Sequence, residues 1–328
     1  MHPFSYVRAE SVTAALQAAA GNPGAKFIAG GTNLIDLMKE DVARPAELID
    51  ITRLPLADIE ENDEGGIRVG ALVTNSRLAY DGRIGARYPL LSKAILAGAS
   101  AQLRNMASTG GNLLQRTRCY YFYDVATPCN KRDPGTGCSA IDGVNRIHAI
   151  LGASEHCIAT HPSDMCVALA ALDAQVRVTG PDGERTIPVT GFHRLPGDTP
   201  HVDTVLAPGE LITAIDLPAR GFAAHHAYVK VRDRASFAFA LVSVAAALEL
   251  DGDTIVDARL ALGGVAHKPW RDPEAEASMR GRKATEETYG EAAKLALRGA
   301  RGYGYNNFKI GLARRAIVRA MTTAAATS

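Results

Sequence analysis

Two groups of residues in this sequence have the type and spacing to do chemistry. The first is a pair of glycine doublets beside short polar side chains. One is Lys26-Phe27-Ile28-Ala29-Gly30-Gly31-Thr32-Asn33-Leu34 and the other is Ser108-Thr109-Gly110-Gly111-Asn112. A Gly-Gly turn that opens a helix leaves backbone N–H groups bare, and an anion such as a diphosphate is stabilised there. Thr32 and Asn33 add side-chain donors at the same spot. Taken alone, the first stretch reads equally well as an ordinary strand–turn–helix with an N-cap. A second, similar device suits a ligand with two phosphates, with a coincidental pair of tight turns as the plain alternative.

The second group is sulfur. Cys119, Cys129, Cys138 and Cys157 share one excursion with Pro128, Pro134, Gly135, Gly137 and Gly143, and with the aromatic run Tyr120 to Tyr123. Long turn-rich segments of this kind are usually functional. Soft sulfur ligands select zinc or an iron–sulfur cluster. The spacing is wide and irregular, unlike Cys-x-x-Cys runs, and leaves zinc and iron–sulfur equally open, with disulfides a weaker option. Arg116, Arg118, Lys131 and Arg132 flank these cysteines as cations beside a cluster, as a solvated face or as contacts to a partner. Cys166 stands apart, at a position whose helical periodicity suggests a small buried residue.

The elements that must position these groups follow from local patterning. Ser11 caps a helix from Val12, and strands are expected at Lys26–Ala29, Glu47–Ile51 and Ile67–Val73, with Asn75 capping the next helix. Pro89–Leu96 and Met165–Leu172 have helical apolar spacing. Two strands, Gln175–Gly180 and Arg185–Val189, flank a Pro-Asp-Gly turn. A boundary is expected at Pro218–Phe222, after the strand-like Glu210–Leu217. Beyond it come alternating strands at Tyr228–Val231, Ser243–Leu250 and Ile255–Leu262, then helices at Glu286–Arg298 and Phe308–Met321. The length of 328 residues allows two or three domains, and 47% hydrophobic and 22% charged residues are those of a globular protein. A net charge of +1 suggests neither nucleic acid nor a membrane surface as partner. No stretch reads as a membrane span or a signal peptide. No Gly-x-Gly-x-x-Gly follows a strand, which argues against a separate nicotinamide domain.

In this order, Phe27–Asn33, Leu103–Asn112, Ser163-Asp164, Lys230–Arg234 and Val265–Arg271 resemble the flavin-binding subunit of the xanthine dehydrogenase and molybdenum hydroxylase family, over nearly the whole chain. The resemblance implies an α+β fold. A PCMH-type (vanillyl-alcohol-oxidase-like) FAD-binding domain of two α/β subdomains would span residues 1–220, and a smaller α+β C-terminal domain of antiparallel sheet and helices residues 221–328. It implies FAD held by Lys26 to Leu34, with Ser108, Gly110, Gly111 and Asn112 closing over the diphosphate. Asp164 would accept hydrogen bonds from a flavin hydroxyl or the adenine, or simply cap its helix. Lys230 would lie near the isoalloxazine ring as a cation that raises its potential, the plain alternative being an exposed lysine on a strand.

The cysteine-bearing insertion, at about 115–158, is similar to the flavin subunit of bacterial heterotrimeric aldehyde oxidoreductases, which carries a [4Fe-4S] cluster as well as FAD. On that resemblance Cys119, Cys129, Cys138 and Cys157 are the cluster ligands. The implied function is electron transfer. A molybdenum-cofactor subunit oxidises an aldehyde to a carboxylic acid, a [2Fe-2S] subunit relays the electrons, and this chain passes them through FAD to an external acceptor. Alternatives are the flavin subunit of a 4-hydroxybenzoyl-CoA reductase-like or xanthine dehydrogenase-like complex, or a flavin- or zinc-binding interaction module without turnover. The resemblance also implies a periplasmic location by co-export with a signal-bearing partner, and a cytoplasmic one without such a partner.

Overall fold

Three sheets organise the protein, whose computed structural model describes residues 1–327. The first is parallel and three-stranded, in the order Ser5–Arg8, Glu47–Asp50, Ala25–Ile28. Its central strand buries Ile49 in one core with Ala15 of the Val12–Gly21 helix. Ser11 caps that helix, its hydroxyl accepting from the Ala14 amide at 3.1 Å. The second sheet is antiparallel and five-stranded: Ile59–Glu61, Ile67–Gly70, Leu211–Leu217, Gln175–Gly180, Gly183–Pro188. The hairpin at Pro181-Asp182-Gly183 is where the turn residues put it, and Gly183 has φ +102°. Thr74, rather than Asn75, caps the Asn75–Tyr80 helix by accepting from the Arg77 amide.

The third sheet, with the order Trp270–Arg271, Thr254–Gly263, Val242–Asp251, His226–Val231, is antiparallel and has a core on each face. Along Val242–Asp251 the even positions Val242, Val244, Ala246 and Leu248 face the Glu286–Ala296 and Phe308–Ala326 helices. The odd positions Ala245 and Ala247 face the larger core built on the Pro89–Ala97 and Asp164–Ala171 helices. This central strand therefore reads as a continuous apolar run instead of the expected alternation. Alanine on the odd face lets the Asp164–Ala171 helix pack close. All eight residues of that helix are buried. A helix apolar on every side belongs inside a core, and each large apolar side chain it buries contributes about 1.5–3 kcal/mol.

The excursion from Gln115 to Cys157 carries a single helical turn, Tyr120–Tyr123, among the described residues. Phe122 is fully buried in a small core of its own with Cys119, Cys129, Cys157 and Ile158. Lys309, wholly buried on the last helix, pins the end of this segment by donating to the carbonyls of His148 (2.7 Å) and Gly264 (2.6 Å).

Candidate functional site

A cleft of about 1090 Å³ opens between the first and third sheets. It is lined by Lys26 to Leu34 from the first sheet, by Ser108, Gly111 and Asn112, by Asp164, and by Lys230 from the third sheet. Of the fifteen positions named for the flavin, only Gly110 does not line it. Such a volume, at a junction of substructures, suits an extended ligand.

The two glycine doublets turn out to be different devices. At the first, Gly31 has φ +69°, and the six-residue Leu34–Lys39 helix follows. Gly30 serves a close approach, because a Cβ there would overlap the Met106 carbonyl. Among the described residues, the amides of Gly30, Gly31, Thr32 and Asn33 donate to no other part of the chain. Asn33 accepts from the Arg116 amide through Oδ1 at 3.0 Å, while its Nδ2 is buried without a partner. Arg104 Nε and Arg118 Nε, on two more lining residues, are likewise buried and unpaired donors. Buried polar groups are nearly always satisfied, so this row of orphans is what a bound polyanion would complete. The residues present fit the diphosphate of FAD.

The second doublet is not a turn, and this corrects the expectation. Thr109–Leu113 is a short helix capped by Ser108, whose hydroxyl accepts from the Gly111 amide at 3.2 Å. The Thr109 amide donates to Val73 O (2.9 Å) and the Gly110 amide to Ala71 O (2.8 Å). Gly110 is buried, and a Cβ on it would meet Ala71 Cβ at 3.0 Å. Through the Thr109 and Gly110 amides the second doublet docks its segment onto the chain just after the Ile67–Gly70 strand, while Ser108, Gly111 and Asn112 stay on the cleft wall. Asn112 Oδ1 accepts from Ser163 Oγ at 2.6 Å, which ties this helix to the Asp164–Ala171 helix.

Ser163, not Asp164, caps the Asp164–Ala171 helix, accepting from the Cys166 amide. That leaves the Asp164 carboxylate for Tyr228 OH (2.6 Å) and Lys230 Nζ (2.7 Å), with Lys230 also donating to Ala97 O (3.0 Å). Both charged side chains are buried, Lys230 at 5% and Asp164 at 8% exposure. Lys230 is therefore neither an exposed lysine nor an uncompensated cation: its charge is matched by Asp164. Each carboxylate oxygen keeps room for a further donor. Burial, then the facing Asp164 carboxylate, pushes the Tyr228 phenol well above its usual value.

Behind the cleft the four cysteines converge. Cys119, Cys129, Cys138 and Cys157 pack in one cluster, Cys129 and Cys138 facing each other across a β-bridge, and all are free thiols. Backbone amides point at their sulfurs: Phe122 and Tyr121 at Cys119, Ala140, Ile158 and Ile141 at Cys138, and Ala159 at Cys157. Burial pushes the Cys119 thiol up to about 12, while the hydrogen bond with Cys157 draws Cys138 down to about 6. A cage of sulfurs ringed by N–H donors is built for thiolate charge, which a metal centre would balance. Four thiols are a donor set that suits tetrahedral zinc or an iron–sulfur cluster alike.

The flanking cations are engaged within the chain, Lys131 buried and Arg116 and Arg118 partly exposed on the cleft wall. Arg116 and the buried Lys131 both hold Asp203, Arg118 holds Asp36 at 3.0 Å, and Arg132 donates to the carbonyls of Tyr121 and Phe122. Against the upward push of burial, Lys131 and Arg116 hold the Asp203 carboxyl well below the usual range.

Cys166 is fully buried away from the other four, and burial pushes its thiol up to about 12. It lies within 4.8 Å of ring nitrogens of His161 and His193. Those rings lie 4.1 Å apart, tilted at 52°, and share the Leu113 carbonyl, and burial holds both neutral.

Two residues next to the sulfur cage carry no local sequence signal. His148 Nε2 lies 3.0 Å from Cys119 Sγ, and His267 Nε2 lies 3.3 Å from Cys157 Sγ. His267 sits in the Val265–Arg271 stretch, the one hint the sequence offered.

Comparison with known proteins agrees with this architecture. Residues 2–220 match the family described as the FAD binding domain in molybdopterin dehydrogenase, and residues 226–324 match the CO dehydrogenase flavoprotein C-terminal domain. The chain is 51% identical over 328 residues to the aldehyde oxidoreductase FAD-binding subunit PaoB of Escherichia coli (strain K12), covering 99% of each chain. It is 31% identical over 290 residues to the glyceraldehyde dehydrogenase medium chain of Sulfolobus acidocaldarius, covering 88% of this chain and 85% of that one. Among solved structures it superposes on a chain of the carbon monoxide dehydrogenase from Hydrogenophaga pseudoflava with a TM-score of 0.77 and 27% identity, covering 99% of both.

Proposed function

The chain belongs to the FAD-binding subunits of the molybdenum hydroxylase family, and on that premise we propose that it is the electron-transfer subunit of an aldehyde oxidoreductase. A partner subunit bearing the molybdenum cofactor oxidises an aldehyde to a carboxylic acid. A second partner bears a [2Fe-2S] centre, and this chain hands the electrons to an external acceptor. The full-length similarity to an aldehyde oxidoreductase FAD-binding subunit supports that substrate class.

The observation that carries the reading is the row of unpartnered amides at Gly30, Gly31, Thr32 and Asn33 in the cleft, beside the orphaned Asn33 Nδ2. These donors would hold the FAD diphosphate, and the Thr32 hydroxyl adds to them. Asp164, fixed by Tyr228 and Lys230, would offer its remaining lone pairs to a ligand hydroxyl or amine. FAD, when bound, takes electrons singly and releases them in pairs. The protein's part is to bind, orient and limit the access of water.

The [4Fe-4S] cluster belongs to the same proposal. Cys119, Cys129, Cys138 and Cys157 would be its thiolate ligands, supported by the convergence of four sulfurs in an amide-lined cage. An absorption spectrum of the purified complex, with iron, zinc and flavin quantitation, tests both parts. Stoichiometric FAD with four irons per chain is the expected result. Zinc without iron overturns the cluster, and a chain that fails to retain flavin overturns the whole. Fractionation of cells carrying all three subunits tests the accompanying proposal that the complex reaches the periplasm on a partner's signal.

A further inference from the structure

Four sulfurs surround the proposed cluster, but they are not equivalent. Cys119 and Cys157 each have a buried imidazole nitrogen within hydrogen-bond reach, His148 Nε2 at 3.0 Å and His267 Nε2 at 3.3 Å. The side chains that do this come from opposite sides. His148 stands at 1% exposure at the end of the cysteine-bearing excursion, its carbonyl clamped by Lys309 at 2.7 Å and by Asn306 at 3.3 Å. His267, at 8% exposure, comes from the loop after the Thr254–Gly263 strand, where the carbonyl of its neighbour Ala266 accepts from the His161 amide at 3.0 Å.

The tautomer follows from the surroundings. A cluster-bound thiolate only accepts, so with the cluster in place Nε2 would carry the proton on both rings and Nδ1 would be left as an acceptor. Nδ1 of each ring is buried without a partner. Beside His267 lies a small cavity of about 10 Å³, bordered by Lys131, His161 and Asp203 among others. That is roughly the space of one water with several polar partners. His161 on its other wall also lines the flavin cleft.

We propose that His148 and His267 are positioning residues for the iron–sulfur centre: their Nε2–H groups donate to the Cys119 and Cys157 sulfurs, orient these two ligands and raise the reduction potential of the cluster. Hydrogen bonds to the sulfurs stabilise the more negative, reduced state. A bond to a charged acceptor in a low-dielectric site differs between the two redox states by enough to change the reduced-to-oxidised ratio about tenfold per donor, which is about 59 mV for one electron. The inference rests on the cluster reading above, and the experiment separates the two.

The test uses the three-subunit complex with His148→Phe, His267→Phe, His148→Gln and His267→Gln. Iron is counted per chain, and the cluster midpoint is read by redox titration followed by electron paramagnetic resonance, with the flavin midpoint as internal reference. Each Phe variant is expected to keep its iron and shift the cluster potential downward by about tenfold in the ratio, with the flavin potential unmoved. Each Gln variant, whose amide N–H occupies the place of Nε2, is expected to recover most of the shift. Full iron with an unchanged potential in both Phe variants overturns the inference and leaves the cluster reading intact. So does an equal shift in the Phe and Gln variants, which marks a packing role. If a Phe variant loses its iron, the Gln variant decides: retained iron at near wild-type potential is the expected outcome, and iron lost in both overturns the donor role. Wild-type complex without iron overturns the cluster reading and this inference together.

Discussion

Replacing Gly30 by alanine tests whether the first glycine doublet is built for a close backbone approach. The added Cβ would overlap the Met106 carbonyl oxygen and lie 2.6 Å from its carbonyl carbon, where carbon atoms sit comfortably at about 3.5–4.0 Å. The two segments must part by about 1 Å, and the obstacle is backbone, which cannot rotate away. Overpacking of this kind costs about 1–3 kcal/mol, and a rigid obstacle puts it in the upper half of that range. If binding FAD requires the native loop, a cost of about 2–3 kcal/mol weakens its affinity by roughly 30- to 140-fold. Gly111→Ala is the comparison. Its Cβ meets only the Ser108 hydroxyl, at 2.8 Å; turning that hydroxyl aside gives up a cap worth about 1 kcal/mol, which the preference of alanine over glycine in a helix, about 0.5–1 kcal/mol, largely offsets. Its affinity should stay within about fivefold of wild type. Titration of deflavinated protein by quenching of FAD fluorescence reads both constants, and thermal unfolding with and without FAD reports the cost of the strain. Unchanged FAD affinity in Gly30→Ala refutes the reasoning, as does an equal loss in both variants.

Cys138→Ser should remove the broad iron–sulfur absorbance of the complex, whereas Cys166→Ser should keep it; the opposite pattern in iron analysis would show the ligand set to be wrong. Lys309→Met should destabilise the protein by about 3 kcal/mol, because at least two buried carbonyls, those of His148 and Gly264, lose a donor, at about 1–3 kcal/mol each; a shift below 1 kcal/mol in urea unfolding would contradict this. Asp203 sets an acid limit. Its folded carboxyl titrates well below the unfolded value of about 3.9, so the stability it contributes is complete above that pH and is lost as pH falls below about 4. Urea midpoints measured from pH 7 to pH 3 should drop on that acid limb, and Asp203→Asn should flatten it.

What was legible in the chain was what neighbouring residues decide. Gly30 and Gly31 marked their turn because a close approach and a positive φ demand glycine there. The Gln175–Pro188 hairpin was visible through Pro181-Asp182-Gly183, and the Ser11 cap through the helix behind it. The second doublet misled for a physical reason: Gly110 and Gly111 look like a turn locally, but the Thr109 and Gly110 amides find Val73 and Ala71, almost forty residues earlier. The same distance problem hid the partners of the sulfurs. His148 and Cys119 are 29 residues apart, His267 and Cys157 are 110 apart, and no periodicity links them. The pairing of Ile67–Gly70 with Leu211–Leu217 spans almost 150 residues and was equally silent.

The contact of Asp164 with Tyr228 and Lys230 bears on how such a protein could be assembled from older pieces. The seam between the two matched regions falls near residue 222, which makes it look like a natural crossover for hybrids of related flavoproteins. Yet a carboxylate on one side and an ammonium on the other are both largely buried across that seam. A chimera that takes one without the other inherits a stranded charge, at a cost of about 3–5 kcal/mol. Exchange of front and back halves is therefore restricted to parents that match at this one junction, and a shuffled library should yield folded members only in that combination.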